Sequence, residues 1–343
     1  MTRERIRDRP VTAPDSGRSL TDAIGRRFEY LRLSLTDVCN FRCTYCLPDG
    51  YRKRPGQPTD LSVAEIERAV SAFSRLGLWK VRLTGGEPTL RHDFEEVARA
   101  VAAVPGIHRI AMTTNGYRLV DRAAAWRDAG VSAINISVDS LDPARFAAIT
   151  GHDRLAEVLR GIEAARAAGF DSIKMNAVLM RDINDNELAA MTDFIAEHDL
   201  SLRFIEVMLT NDNAAFFKAR HLAGQTVIDR LEQGGWRRLP RTTGAGPAVE
   251  YVHPASRGRI GIIAPYAKDF CAGCNRLRIS SDGKLHLCLF GDGGIDLRPL
   301  LQRDADQGAL MDRIRALTAT KAPAHRLHRN DSGATPHLAS IGG

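Results

Sequence analysis

Short β-type runs alternate with helical segments between residues 28 and about 208, and this alternation restricts the possible folds more than any other feature. The six predicted strands are 29–36, 80–84, 109–114, 133–139, 173–180 and 202–208. Ser62 and Glu65 predict a capping box at the start of the first helix. Helix ends are predicted at Gly77, Gly130 and Gly169. Repeated βα units predict an α/β fold with a parallel sheet and right-handed crossovers, although six units are too few for a closed eight-stranded barrel.

One face of the predicted strands is polar at every second position. The residues on this face are Arg32, Ser34, Thr36, Arg82, Thr84, Thr113, Asn115, Asn135, Ser137, Asp139, Lys174, Asn176 and Glu206, with Met208 continuing the series. Parallel sheets are normally covered and apolar on both faces. Either one face is therefore solvated, or the strands form an incomplete (β/α)6 TIM-like barrel whose interior holds a large polar ligand. In the barrel, functional groups would gather at the C-terminal strand ends.

The alternation stops after Met208. Residues 213–233 have a helical pattern, and "WRRL", "AVEYVHP" and "GRIGIIAP" predict short antiparallel strands separated by Gly/Pro-rich turns. We therefore expect four segments: a disordered N-terminal extension (1–21), the partial barrel (22–212), a C-terminal module (213–326), and a flexible tail (327–343) ending in Gly-Gly.

Composition limits the class of protein. The 343 residues are 44% hydrophobic, and no apolar run approaches the roughly 18 residues that span a membrane, so we expect a soluble protein. The N-terminus has neither the apolar core of a secretory signal nor the acid-poor character of a transit peptide, which favours a cytoplasmic location. The net charge of +7 is dispersed, and an anionic small substrate explains it at least as well as nucleic acid.

The first cysteine group, Cys39, Cys43 and Cys46, has the spacing C-x3-C-x2-C. A structural zinc site needs four ligands, and cubane iron-sulfur clusters normally take four cysteines. Three cysteines therefore indicate a cluster with one iron left open for a small molecule. A zinc ion completed by a distant histidine is the alternative.

The second group, Cys271, Cys274 and Cys288, has the spacing C-x2-C-x13-C. His286 could complete a zinc ribbon, or the three thiols could hold a second cluster whose open iron binds a substrate. Arg276 and Arg278 follow at alternate positions and point one way, as suits phosphate recognition.

The first group resembles the radical S-adenosylmethionine (SAM) enzymes, because Tyr45 precedes its last cysteine and "GGEP" follows the second strand. The resemblance implies that the amino and carboxylate groups of SAM chelate the open iron of a [4Fe-4S] cluster. Reduction then cleaves SAM to methionine and a 5′-deoxyadenosyl radical. Gly85 and Gly86 would let the backbone approach the methionyl amine, or would simply form a tight turn.

Within that superfamily, residues 22–343 resemble the GTP 3′,8-cyclases, which catalyse the first step of molybdenum-cofactor biosynthesis. The motifs are "DAIGRRFEYLRLSLTDVCNFRCTYCLP", "VRLTGGEPTLRHD", "TTNGYRL", "INISVDSLD", "KMNAVLMRDINDNE", "RFIEVM", "FCAGCNRLRISSDGKLHLCLF" and the terminal "IGG". The resemblance implies conversion of GTP to (8S)-3′,8-cyclo-7,8-dihydroguanosine 5′-triphosphate, with guanine on the open iron of a second [4Fe-4S] cluster held by Cys271, Cys274 and Cys288.

The resemblance also implies the ligand contacts. SAM should be lined by Tyr45, Gly86, Ser137 and Met208. GTP should be contacted by Arg32, Arg82, Thr113, Lys174, Arg276, Leu277 and Arg278. Gly342 and Gly343 are assigned an active-site role, whereas the sequence alone favours a frayed end.

The expected partners are an external electron donor, a downstream cyclic pyranopterin monophosphate synthase and a second copy in a homodimer, with neither nucleic acid nor membrane. Two other functions stay open. A radical SAM peptide maturase would usually carry more C-terminal cysteines than the three found here. A nucleic-acid-binding protein with two zinc sites predicts aromatic residues among basic patches, but aromatics are only 6% and scattered.

Overall fold

A computed structural model describes residues 19–53, 55–242, 244–335 and 338–342. Most of the predicted N-terminal extension, residues 1–18, and the terminal Gly343 lie outside the described residues. Leu20, near the end of that extension, is buried, and its backbone N–H donates to the Leu76 carbonyl at 3.0 Å. Leu20, which was assigned to the extension, thus packs against the rest of the described chain.

Strands and helices alternate as the sequence predicts. The strands are β1 (Tyr30–Ser34), β2 (Lys80–Thr84), β3 (Arg109–Thr114), β4 (Ala133–Ser137), β5 (Ser172–Leu179), β6 (Ser201–Glu206), β7 (Arg237–Arg238), β8 (Val249–Val252), β9 (Arg259–Ile263), β10 (Arg276–Ile279), β11 (Lys284–His286) and β12 (Ile295–Asp296). The helices are α1 (Val63–Arg75), α2 (Phe94–Ala103), α3 (Leu119–Asp128), α4 (Pro143–Thr150), α5 (Leu155–Ala167), α6 (Leu188–Glu197), α7 (Ala214–Arg220), α8 (Gly224–Gln233) and α9 (Gln307–Ala319).

Local signals place these elements accurately. All six predicted strands are present as β1 to β6, and the capping box forms between Ser62 and Glu65 at the start of α1. Gly77, Gly130 and Gly169 each come two residues after the end of a helix. The helical pattern over 213–233 is two helices, α7 and α8, rather than one.

The strands form a mixed sheet in the order β12-β11-β10-β1-β2-β3-β4-β5-β6-β9-β8-β7. Strands β1 to β6 are parallel in chain order, and β10 and β9 continue the parallel pairing at the two edges. The outer pairs are antiparallel. The short antiparallel strands predicted for the C-terminal module are present as β7 to β9, and strands that follow residue 213 extend both edges of the sheet.

The two faces of the central strands differ in polarity. In β1, Leu31 and Leu33 are fully buried in the hydrophobic core, whereas Arg32 lies between them in sequence and lines a cavity. Arg82 and Asn135 on the polar face are each only 6% exposed, which argues against a solvated face. Within the described part of the chain, no helix is long and apolar enough to cross a membrane.

Candidate active site

A cavity of about 1690 Å³ lies against the polar face of the sheet. This volume exceeds the roughly 300–1,000 Å³ of ordinary small-molecule pockets. All six cysteines line it, and none forms a disulfide. The cavity can therefore hold more than one ligand.

Strand pairing places the two cysteine groups at opposite ends of one strand pair. The first group follows β1, whereas Cys271 and Cys274 precede β10. Because β1 and β10 pair in parallel, the end of one strand and the start of the other lie at opposite edges of the pair. Arg32 and Arg278, which are partners in this register, lie between the two groups.

The loop of the first group is fixed to the end of α4. The backbone N–H groups of Arg42 and Thr44 donate to Thr150 and Ile149 at 2.9 and 3.0 Å. A turn inside the loop joins the Cys46 N–H to the Cys43 carbonyl at 2.9 Å. The positions of the three thiols thus depend on main-chain contacts made within and beside the loop.

Gly85 and Gly86 provide the other support of this loop. A Cβ atom on Gly85 would lie 2.4 Å from the Thr36 carbonyl oxygen, and one on Gly86 would lie 2.3 Å from that of Val38. The Gly86 N–H donates to Thr36 at 2.8 Å. Close contact between two backbone segments therefore requires glycine at both positions.

Tyr45, Ser137 and Met208 line the same cavity. The Tyr45 hydroxyl donates to Asp139 at 3.0 Å, and the Val178 N–H donates to the other carboxylate oxygen at 2.8 Å. Burial raises the pKa of Asp139 to about 6 and raises the pKa of Tyr45 well above its ordinary value. The sequence predicts Asp139 only as one residue of the polar face of the strands. In the structure its carboxylate accepts a hydrogen bond from Tyr45 beside the cysteine loop.

Glu87 is a second acidic residue that sequence reasoning did not single out. It is fully buried and accepts bonds from Thr114 Oγ1 at 2.9 Å and from the Asn115 N–H at 2.6 Å. Burial raises its pKa, although these hydrogen bonds oppose the shift. Glu87 thus ties the end of β2 to the end of β3, and its place in "GGEP" is the signal that could have identified it.

The second cysteine group has cationic surroundings. Arg26 is buried in an ion pair with Asp22 at 2.6 Å and donates to the Cys271 carbonyl at 3.1 Å. Burial acts to raise the pKa of Cys274, but Arg276, Lys321 and Arg26 outweigh it and lower the pKa to about 7.

His286 does not join the second group in the structure. It borders a separate groove that includes Gly294, whereas the three cysteines line the main cavity. Burial, aided by Arg278, lowers the pKa of His286 to about 4.

The side chains that are predicted to contact the nucleotide lie between the two cysteine groups, and we call this set the nucleotide wall. Its members that line the cavity are Arg32, Arg82, Thr113, Lys174, Arg276 and Arg278. Arg82 donates to the Met112 carbonyl at 2.9 Å and to Thr113 Oγ1 at 3.1 Å. Burial, with help from neighbouring arginines, lowers the pKa of Arg32 to about 10 and that of Arg278 well below its ordinary value.

Leu277 departs from this set. Its side chain is fully buried in the hydrophobic core and does not line the cavity. Because side chains alternate along a strand, Leu277 must face away when Arg276 and Arg278 face the cavity. The GTP contact predicted for Leu277 could therefore be made only by its backbone, and it stays a prediction.

Several cavity-lining residues were not predicted from the sequence, among them Tyr30, Lys80 and Arg203. Tyr30 and Lys80 lie two positions before Arg32 and Arg82, and Arg203 projects from β6. Extending the period-two pattern by one step toward the start of β1 and β2 would have found the first two residues.

The C-terminal tail enters the cavity. The Gly342 carbonyl accepts bonds from Arg32 Nε at 2.8 Å and from Arg278 at 2.6 Å. Gly342 has φ +63°, and a Cβ atom there would lie 2.1 Å from Thr84 Cγ2. The backbone N–H of Ala339 donates to the Cys46 thiol. Residues 338–342, which the sequence assigns to a flexible tail, are thus packed against the site.

Comparison with known proteins identifies the family. The profile of the radical SAM superfamily matches residues 33–195, and the Molybdenum Cofactor Synthesis C profile matches residues 200–327. The GTP 3′,8-cyclase of Aeromonas hydrophila subsp. hydrophila is 56% identical over 328 residues, covering 94% of this chain and 96% of that protein. The chain belongs to the GTP 3′,8-cyclase family.

Other relatives agree with this assignment. GTP 3′,8-cyclases of Stenotrophomonas maltophilia and Yersinia pestis are 55% and 52% identical, each covering 94% of this chain and 99% of the relative. The crystal structure of Streptococcus suis SuiB bound to S-adenosylmethionine shares the fold, with a TM-score of 0.56 at 15% identity, over 85% of this chain and 68% of SuiB. Membership of the GTP 3′,8-cyclase family implies a [4Fe-4S] cluster and SAM.

Proposed function

We propose that this chain converts GTP to (8S)-3′,8-cyclo-7,8-dihydroguanosine 5′-triphosphate, the first step of molybdenum-cofactor biosynthesis. The observation that carries the proposal is one cavity that contains two three-cysteine groups with a wall of arginines between them. The architecture is an incomplete TIM-like barrel with a C-terminal cluster module. The reaction takes place in the cytoplasm.

Cys39, Cys43 and Cys46 would hold the first [4Fe-4S] cluster and leave one iron open for SAM. When bound and reduced, this cluster supplies the 5′-deoxyadenosyl radical by cleaving SAM. Tyr45, Gly86, Ser137 and Met208 surround the space beside the loop and would position SAM. The partly enclosed cavity limits the access of water to a reactive radical.

Cys271, Cys274 and Cys288 would hold a second [4Fe-4S] cluster with its open iron toward guanine. Across the residues that the structure describes, no three His, Cys, Asp or Glu side chains are grouped to bind one metal ion. A closed zinc site would need a fourth ligand beside the three thiols. The separate position of His286, the nearest candidate in the sequence, favours a cluster over zinc.

Arg32, Arg82, Lys174, Arg276 and Arg278 would bind the triphosphate and orient the ribose, and Thr113 would contribute a hydroxyl. Buried cations at this density are unfavourable unless an anion neutralises them. Guanidinium groups suit phosphate oxygens because their N–H donors match them in pairs. The nucleotide would thus lie between the two cysteine groups, with its 3′ carbon toward the SAM site.

An external donor would supply the electrons, and the product would pass to a cyclic pyranopterin monophosphate synthase. A homodimer is part of the proposal. The exposed cysteine-loop segment near Arg52 and Lys53 leaves the first group close to the protein surface, where a donor can approach.

The test is an anaerobic assay of iron-sulfur-reconstituted protein with SAM and a strong reductant, in which 5′-deoxyadenosine is quantified with GTP, with ATP, and without nucleotide. We expect GTP alone to raise its formation, and deuterium at the ribose 3′ position to appear in it. Two intact clusters without any effect of GTP would contradict the substrate assignment. Zinc without iron in anaerobically prepared protein would contradict the cluster assignment.

A further inference from the structure

Tyr30 is a buried phenol among the cationic side chains that lie between the two cysteine groups. It is the first residue of β1, is 3% exposed and lines the cavity. Arg82 Nε donates a short hydrogen bond to its hydroxyl oxygen, and Arg32 also hydrogen-bonds to Tyr30. Lys80 Nζ lies 4.6 Å from the ring centroid.

Tyr30's own strand and both strands that pair with it carry cations beside it. Arg32 comes from β1, Lys80 and Arg82 from β2, and Arg276 is its partner in the register with β10. Of the described carboxylates that line the cavity, Glu250 pairs with Arg203 at 2.9 Å, Glu206 pairs with His221 at 2.6 Å, Glu232 accepts from Tyr251 and Asp139 accepts from Tyr45. The fifth, Asp269, lies in the loop two residues before Cys271.

This arrangement needs an anion. Buried cations without a counter-charge are costly, and the phenol is the acidic group that lies among them. Burial acts to raise the pKa of Tyr30, but Arg82, Arg32 and Lys80 outweigh it and lower the pKa to about 6. The geometry and the titration thus agree that the phenolate is favoured in the nucleotide-free protein.

We propose that Tyr30 is the internal counter-ion of the nucleotide site, and that its phenolate takes up one proton from solvent when a triphosphate replaces it as the anion facing Arg32, Arg82 and Lys80. The proposal rests on the proposed function, since it takes GTP as the ligand. No bond other than O–H forms, and no electron is transferred. Tyr30 would keep its place among these side chains in both states.

The linkage has a definite sign. Above about pH 6 the nucleotide-free protein carries the phenolate, whereas the complex carries the phenol, so binding consumes a proton. GTP affinity then falls by up to about tenfold for each pH unit, until the pH reaches the pKa of Tyr30 in the complex. Below about pH 6 both states carry the phenol, and this contribution disappears.

The experiment is calorimetric titration of reconstituted holoenzyme with GTP at pH 8, under anaerobic conditions, in two buffers with different ionisation heats. At that pH the triphosphate is already ionised, so proton uptake reports on the protein. The test variant is Tyr30→Phe. The matched control is Tyr51→Phe, which removes a phenol that donates to Gln57 Oε1 at 3.2 Å outside the cavity.

Wild-type protein and Tyr51→Phe should take up about one proton per GTP, and Tyr30→Phe close to none, with a flatter dependence of GTP affinity on pH. GTP binding without proton uptake in the wild type, or with equal uptake in Tyr30→Phe, would overturn this inference and leave the proposed function standing. No GTP binding by the wild type would overturn both. If Tyr30→Phe lost the absorbance of its clusters, the number of protons that the wild type takes up per GTP at pH 8 would by itself support or overturn the inference.

Discussion

The two cysteine groups contain the same number of thiols in opposite electrostatic surroundings. At the first group, burial raises the pKa of Cys39 to about 11 and that of Cys46 to about 12, and carboxylates add to the effect, Glu87 at Cys39 and Asp212 at Cys46. At the second group, nearby cations lower the pKa of Cys274 to about 7 against the effect of burial, although burial raises the pKa of Cys271. One end of the cavity thus favours cations, and the other favours anions.

This difference matches the two ligands of the proposed reaction. SAM carries a sulfonium and an ammonium group, so acidic neighbours such as Asp139 suit it. GTP is a polyanion, and the second group is adjacent to Arg276 and Arg278. The charge pattern therefore gives each ligand one favourable end of a shared cavity, which reduces binding in the wrong orientation.

The largest effect should come from removing one thiol in each group. Cys43→Ala should lower 5′-deoxyadenosine formation to background, because the first cluster loses a ligand. Cys274→Ala should lower the cyclised product to background while SAM cleavage persists without stimulation by GTP. Each variant should lose about four irons per chain. Equal loss of SAM cleavage in both variants would show that the two groups do not act separately.

A second test perturbs the first region through its backbone. In Gly86→Ala the new Cβ atom would lie 2.3 Å from the Val38 carbonyl, so the cysteine loop must shift. We expect a cost of about 1–3 kcal/mol, which corresponds to a fall of up to roughly a hundredfold in the fraction of correctly placed loop. Thermal unfolding and SAM cleavage measure this effect.

The control for that variant is Gly308→Ala in α9, where a Cβ atom meets nothing within 4 Å. It should leave SAM cleavage unchanged and should not lower the unfolding temperature, since alanine favours a helix more than glycine does. GTP binding should survive in Gly86→Ala, because the second region is untouched. Normal SAM cleavage by Gly86→Ala would mean that the loop tolerates the displacement.

A third test perturbs the second region. Arg276→Ala removes a cavity-lining guanidinium beside Cys274. GTP affinity should fall by about 10- to 100-fold, as expected for one charge-assisted contact, and SAM affinity should change little. Equilibrium binding of each ligand measures the split, and Arg315→Ala on the exposed face of α9 is the control. Equal weakening of both ligands would contradict the assigned role.

Local patterns predicted the elements of the fold and most of the polar face. The strands β1 to β6, the capping box at Ser62 and the cavity-lining Arg32 and Arg82 all follow from signals within a few residues. The pairing of β10 with β1 does not, because it joins residues more than 240 positions apart, and no local signal specifies the partner. Leu277 shows a related limit, since a contact predicted for its whole motif does not say whether the side chain or the backbone makes it, and a strand alternates its side chains.

The docked tail is a feature that local sequence patterns did not predict, although the resemblance to GTP 3′,8-cyclases assigned it an active-site role. A terminal segment without periodicity is normally expected to fray, yet Ile341 and Gly342 are buried. The tail contacts both regions. Ala339 hydrogen-bonds to Cys46 in the first, and Gly342 accepts from Arg32 and Arg278 near the second. Its contacts are backbone groups, which carry no side-chain signature. Only the absence of a side chain at Gly342 gives a hint, because a Cβ atom there would strike Thr84.

The tail therefore supplies the last and smallest test of the comparison. Deleting Gly342 and Gly343 removes the carbonyl that accepts from Arg32 and Arg278, but leaves every cysteine in place. Turnover should fall about tenfold, the value of one hydrogen bond to a charged group, while iron content and SAM binding are retained. Single-turnover product formation beside iron analysis measures this. Unchanged turnover would mean that the two regions are aligned by the sheet alone, and loss of iron would mean that the tail supports the first cluster rather than the arginines.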